Sequence, residues 1–328
     1  MIISKTPLRA SLFGGGSDFR EYYSSSKFGY GSVLSACLDM HVYITVNKKF
    51  DDKIRVVYNG NENVDSVDEV KHNIIREALR VVGIEKGIEI IYTTDIPISS
   101  VGTGLASSSS LAVGALNALH AYKGEYATPM QLAEEACYIE IEKLGHKIGI
   151  QDQFAVAHGG LNRYRFMNDG TVSVTPGIIN AQIRELLCGN LLIFYTGHVR
   201  DSSKILAEQS ASIEAHRKSL DELVLTVDSI CDDLARGILY NVGEKLDHTW
   251  KIKKGLSSGI STPEIDEMYD VARKAGALGG KILGAGGGGF MLLYAPREKH
   301  MAVRTSLAQY REVPFNIDYL GSRIVFAD

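Results

Sequence analysis

Long apolar runs are missing from this chain of 328 residues: no stretch approaches the ~18 consecutive apolar residues that mark a membrane-spanning helix. Cysteine is scarce and scattered. Cys37, Cys137, Cys188 and Cys231 form no CxxC pair, which removes the usual zinc spacing and a disulfide framework. They read as free thiols of a cytoplasmic protein. An excess of positive charge is also lacking, with 35 Lys and Arg against 39 Asp and Glu and a net charge of -4. Neither nucleic acid nor an anionic membrane is therefore expected as a partner, although a few local Arg or Lys could hold a small anion. The opening stretch MIISKTPLRASLFGGG has no apolar core segment and no cleavage site, so no secretory signal is expected. Repeats, low-complexity tracts and an exposed linker are absent too.

What is present is an ordinary globular composition, 45% hydrophobic and 23% charged, in a chain long enough for two domains at ~150 residues each. Leu8, Ala10 and Leu12 alternate with Arg9, Ser11 and Phe13, which is strand periodicity and puts Arg9 and Ser11 on one face. Val42, Ile44 and Val46 alternate likewise, as do Ile88, Ile90 and Tyr92. Val70, Ile74, Ala78 and their neighbours repeat at helical spacing, with Gly83 as the stop. Thr128, Pro129 and Gln131 open a helix predicted to run to Leu144, before Gly145. After a buried strand at Leu191 to Phe194 comes a mostly helical stretch, Ser202 to Lys254. A helix from Ser261 to Gly276, a glycine loop, a strand at Phe290 to Tyr294, a helix and a final strand follow. The mixture predicts an α/β (α+β) fold in two domains, residues 1–180 and 181–328.

Four segments carry chemistry. Gly102, Thr103, Gly104, Leu105, Ala106, Ser107, Ser108 and Ser109 lead straight into the apolar helix that begins at Leu111. A Gly/Ser loop opening a helix offers free N–H groups and hydroxyls at the positive end of the helix dipole, a site for phosphate. No Gly-Lys-Ser/Thr follows, so it is not a P-loop. A second glycine segment, Lys281 to Phe290 with Gly284, Gly286 and Gly287, lies between a helix and an apolar strand and fits no dinucleotide fingerprint. The third is the strand bearing Arg9, which turns through Gly14, Gly15, Gly16 and Ser17 to Asp18. Asp18 could accept from substrate hydroxyls or simply hold the turn. The fourth joins Glu140, on the apolar side of its helix near Ala136 and Leu144, to the stretch Gly149 to Gln153 with Asp152. A buried carboxylate at Glu140 needs a partner, which a metal ion or a structural salt bridge would supply.

In this order the four segments resemble the GHMP superfamily of small-molecule kinases, which includes galactokinase, homoserine kinase and mevalonate kinase. The resemblance reaches both halves of the chain. It implies two α/β domains with the active site in the cleft between them, and ATP wrapped by the loop from Gly102 to Ser109. It also implies Mg2+ held by Ser108 and Glu140, catalysis by Asp152 and Arg9, and substrate between the Gly14–Asp18 turn and Gly284, Gly286 and Gly287. Ala106 departs from the family, which usually has glycine there. Gly15 and Gly16 replace the Glu and His of galactokinase-like enzymes, which leaves room and argues against galactose. The heptose branch is the nearest match, so the resemblance implies phosphorylation of the anomeric hydroxyl of a heptose 7-phosphate to the 1,7-bisphosphate. Arg200, Ser202 and Lys204, at a helix start, would take the distal phosphate, with Arg163, Arg165 and Lys147 as weaker candidates. A kinase of an unphosphorylated sugar such as fucose, and a non-catalytic sensor of the same fold, are the rivals. Monomer and homodimer are both left open.

Overall fold

The structure, a computed structural model, describes residues 1–96, 103–176, 180–198 and 202–328. Two sheets organise it. The first is built on β1 (Ile2–Phe13) and β2 (Tyr30–Lys48), antiparallel from Ile2↔Val46 to Phe13↔Leu34. The register shifts at Pro7/Leu8, where proline cannot donate to the ladder, and again at Ser11/Phe13, just before the glycine turn. β2 is long enough to serve two neighbours. Its second half pairs with β5 (Ile88–Thr94), which lies parallel to β3 (Ile54–Val57), itself paired with β4 (Asn61–Val64). Its first half pairs with β6 (Leu161–Met167), which carries β7 (Val172–Pro176). The second sheet has the order β11-β8-β10-β9, from β8 (Leu191–Tyr195), β9 (Gly279–Ile282), β10 (Phe290–Tyr294) and β11 (Arg311–Val313). The chain then returns, and β12 (Arg323–Ala327) pairs with β1.

Alternation along β1 predicts one buried face, yet the structure buries both. Leu8, Ala10 and Leu12 enter the core, and Arg9 and Ser11 are also buried, on the opposite face that looks into the site. The helix Ser107–Tyr122 lies against β1 and β2 and is buried from Ser109 to His120. Helix Asn73–Val82 closes as predicted on left-handed Gly83, whose N–H and that of Ile84 both reach Leu79 O. Thr128 caps the next helix by accepting from Gln131 N at 3.2 Å. That helix does not run regularly to Leu144. It is α-helical over Pro129–Cys137 and then widens into π-helical turns over Tyr138–Lys143, with Leu144 N bonded to Ile139 O five residues back. Ile139 and Glu140 are both buried in this widened segment.

In the second half, helices Ser202–Ser212, Arg217–Ala235 and Val242–Lys254 make up the predicted helical stretch, and Trp250 is fully buried there. The Arg217–Ala235 helix binds the two halves together. Its Asp221 accepts from Tyr22 Oη at 2.8 Å, and its Asp228 accepts from Tyr30 Oη at 2.7 Å. Arg165 donates to Asp228 at 2.9 Å and Arg163 lies 3.7 Å from it, which adds charge pairing to this joint. Among the described residues no helix is long and apolar enough to cross a membrane.

Candidate active site

The helix Ser107–Tyr122 opens from an unusual residue. Ala106 sits at φ +64, and it alone among the described non-glycine residues has a positive φ. A side chain there costs energy that glycine would not. The left-handed step turns the chain sharply so that Ser107, Ser108 and Ser109 start the helix with their N–H groups facing outward along its axis. Thr103 and Ser107 hydroxyls lie 3.2 Å apart across this turn. The second glycine segment touches the loop backbone to backbone. A Cβ on Gly104 would lie 2.2 Å from Leu283 O, and one on Gly284 would lie 2.3 Å from Gly104 Cα, so only glycine allows this approach. Gly287 N bonds Ile260 O at 2.9 Å, and a Cβ on Gly286 would meet the Ile260 backbone, which fixes the rest of that segment.

Glu140, delivered by the π turns, is fully buried. Its carboxylate accepts from Ser108 Oγ at 2.8 Å, Ser109 Oγ at 2.7 Å and Gln153 Nε2 at 2.6 Å. Burial pushes its pKa up, and the three hydrogen bonds oppose that. No Lys or Arg pairs with it among the described residues, so the salt-bridge reading is set aside. A hydroxyl and a carboxylate side by side at the mouth of a phosphate loop are hard oxygen donors that fit Mg2+.

Arg9 and Asp152 form the centre. Arg9, 4% exposed, donates to Asp152, 25% exposed, through Nε at 2.7 Å and Nη2 at 2.6 Å. Its third arm, Nη1, donates to Gly104 O at 2.6 Å and so ties the pair to the loop. This fork leaves each Asp152 oxygen a further lone pair for a hydroxyl. Asp18 is buried nearby, and its oxygens accept from Gly16 N at 2.9 Å and Gln151 N at 3.3 Å, joining the glycine turn to the helix Gln151–His158. Its pKa is raised by burial, with the Asp152 charge adding. Gly149 must lack a side chain here, since a Cβ would lie 1.9 Å from Asp18 Oδ2. The position a Gly15 side chain would take is 3.3 Å from Ser11 Oγ and 3.6 Å from Gln151 Nε2. Ser11 Oγ and Gln151 Oε1 are buried there without hydrogen-bond partners.

Sequence reasoning missed three buried groups. Gln153 holds Glu140. Lys253 donates to Gly284 O, and Lys281 donates to Leu12 O at 3.3 Å. Lys253 shares a helical face with Leu246 and Trp250, a spacing that marks it as inward-facing. Lys204 is exposed on helix Ser202–Ser212, and Gly102, Arg200 and the Ser202 side chain are outside the described residues.

The model for the GHMP kinases N terminal domain matches residues 70–160, and that for GHMP kinases C terminal matches residues 232–308. A D-glycero-alpha-D-manno-heptose 7-phosphate kinase of Campylobacter jejuni is 29% identical over 326 residues, 92% of each chain. A mevalonate kinase of Thermococcus gammatolerans is 30% identical over 71% of this chain and 68% of its own. In structure, a D-glycero-D-manno-heptose 1-phosphate kinase of Bacteroides thetaiotaomicron superposes with a TM-score of 0.81 over the whole of both chains at 23% identity. Matches on both halves, reaching through a cleft whose phosphate loop and Arg–Asp pair suit one chemistry, place this chain in a family: it belongs to the GHMP kinases, enzymes that transfer a phosphoryl group from ATP.

Proposed function

We propose that this ATP-dependent sugar kinase phosphorylates the anomeric hydroxyl of a heptose 7-phosphate. The observation that carries the acceptor assignment is a pair of buried side-chain oxygens beside the glycine turn, Ser11 Oγ and Gln151 Oε1, which have no hydrogen-bond partner and so await hydroxyl groups. The near full-length likeness to the Campylobacter heptose 7-phosphate kinase supports it. ATP lies along Thr103 to Ser109, with its terminal phosphate toward Arg9. Mg2+ held by Ser108 and Glu140 would neutralise charge on the phosphate oxygens. The acceptor sits under Gly14 to Asp18, with Asp18 and Asp152 orienting its hydroxyls. The anomeric oxygen attacks the γ-phosphorus as the bond to ADP breaks, its proton passes to Asp152, and Arg9 stabilises the transferred group. Residues 1–180, with β12 returning to their sheet, and the rest of 181–328 would act as the two walls of the cleft. Lys204, exposed on the helix Ser202–Ser212, would take the distal phosphate together with Arg200 and Ser202, of which Arg200 and the Ser202 side chain lie outside the described residues.

An ADP-release panel tests this. Heptose 7-phosphate should give a kcat/KM at least tenfold above those for fucose, galactose, mannose, homoserine and mevalonate. Preference for an unphosphorylated sugar or for mevalonate rejects the acceptor assignment, and ATP turnover with no acceptor dependence rejects the kinase reading of the cleft.

A further inference from the structure

Two lysines from the second half of the chain are buried against the catalytic pair without a counter-ion. Lys253, 7% exposed, comes from the end of helix Val242–Lys254, and Lys281, 4% exposed, comes from β9. Among the described residues each finds a single acceptor, a backbone carbonyl, and neither forms an ion pair. An ammonium has three donors and tolerates burial poorly without an anion. The charged groups that face them are Arg9 from β1, Asp18 from the glycine turn and Asp152 from helix Gln151–His158, together with each other. Asp152 is already held on both oxygens by Arg9, and Asp18 on both by backbone N–H groups. With Arg9 matched to Asp152, the two lysines outnumber the one remaining carboxylate, Asp18. The acceptors they use also mark the place: Gly284 lies against Gly104 of the phosphate loop, and Leu12 leads into the glycine turn.

We propose that Lys253 and Lys281, with Arg9, bind a phosphate dianion in the cleft between the phosphate loop and the Gly14–Asp18 turn. The dianion has two available sources, the γ-phosphate of ATP and a phosphate carried by the acceptor, and only the second rests on the acceptor assignment above. Binding gives each ammonium an anionic oxygen and offsets the surplus charge. Burial first, and the Arg9 charge second, lower the pKa of Lys253 to about 8, so the cradle loses charge in mildly alkaline solution.

Calorimetry on Lys253→Met, Lys253→Arg and Lys281→Met separates the sources, with circular dichroism confirming the fold of each. In one arm AMPPNP is compared with ADP; in another, heptose 7-phosphate with the unphosphorylated heptose. The proposal expects at least one of these two affinity ratios to fall tenfold or more in Lys253→Met and Lys281→Met, while Lys253→Arg keeps it within threefold. The arm that falls names the source. For the wild type that ratio should decline above pH 8, and Lys253→Arg should lessen that decline. Should Lys281→Met not fold, Lys253→Met decides alone. Both ratios within threefold of wild type in folded variants overturn the proposal. Failure of the acceptor assignment looks different, because the wild type then binds neither heptose while the AMPPNP arm still reads the lysines.

Discussion

Replacing Asp152 by Asn tests the centre of the mechanism with the smallest change in shape. The bidentate contact has N···O distances of 2.7 and 2.6 Å, and Arg9 is almost wholly buried. Asn keeps one acceptor, so one bond to Arg9 survives. The other oxygen becomes an NH2 that faces a guanidinium N–H, donor against donor. Losing one partner of a fully buried pair costs about 3–5 kcal/mol. Asp152 is a quarter exposed, and Arg9 keeps Gly104 O, so about 2 kcal/mol is the better figure for stability. For a chain of this size that is a fall in melting temperature of roughly 3 °C. The effect on rate should be far larger, about 10²–10⁴ in kcat, because a proton acceptor or orienting charge is lost at the reacting oxygen. ADP release with the best acceptor of the panel measures the rate, and calorimetry the melting temperature. Turnover within threefold of wild type would remove Asp152 from the chemistry. The lowered melting temperature with that rate would then leave the Arg9–Asp152 pair a structural tie.

Ala106→Gly should raise stability by about 1 kcal/mol, because the φ of +64 strains any residue with a Cβ; a scanning-calorimetry midpoint no higher than wild type would mean the loop holds Ala106 without strain. Asp318 lies at the base of the molecule, where His41 Nε2 meets it at 2.6 Å and Arg323 donates to both its oxygens at 3.0 and 2.9 Å. Burial pushes its pKa up, but those hydrogen bonds win and hold it well below the usual carboxylate range. A depressed carboxylate stabilises the fold above its unfolded value of about 3.9 and loses that contribution as the pH falls through its folded value. Asp318→Asn should therefore melt several degrees below wild type at pH 6, with the two curves converging as acid is added below pH 4; parallel curves would remove Asp318 from the acid response.

Much of the site could be read from residue types because its parts are local. The Gly/Ser loop, Arg9 alternating with core residues on a strand, and Asp152 at a helix start each show in a window of ten residues. The π-helical widening could not be read. The partners of Glu140 in that segment are tertiary, Ser108, Ser109 and Gln153, which no local window brings together. Lys253 was hidden in plain composition. It belongs to the run Lys251, Ile252, Lys253, Lys254, which resembles a solvated helix end, and exposed Lys251 does pair with Asp247 one turn back. Only the placement of Lys253 one turn beyond buried Trp250 separates it from its neighbours.

In the cleft the molecule works against its own stability. Between the two sheets, Lys253 and Lys281 are held by carbonyl oxygens alone, close to a third cation, and their ammonium pKa values fall accordingly. A core of that size could have filled the space with leucine at lower cost. The arrangement makes sense if the missing partner arrives from outside. Phosphoryl transfer spreads negative charge over oxygens that water would otherwise have to reorganise around, and fixed cations that are already desolvated need no such reorganisation. On that argument the strain in the resting protein and the speed of the reaction have one origin: positive charge placed at the joint of the two sheets before the negative charge that matches it.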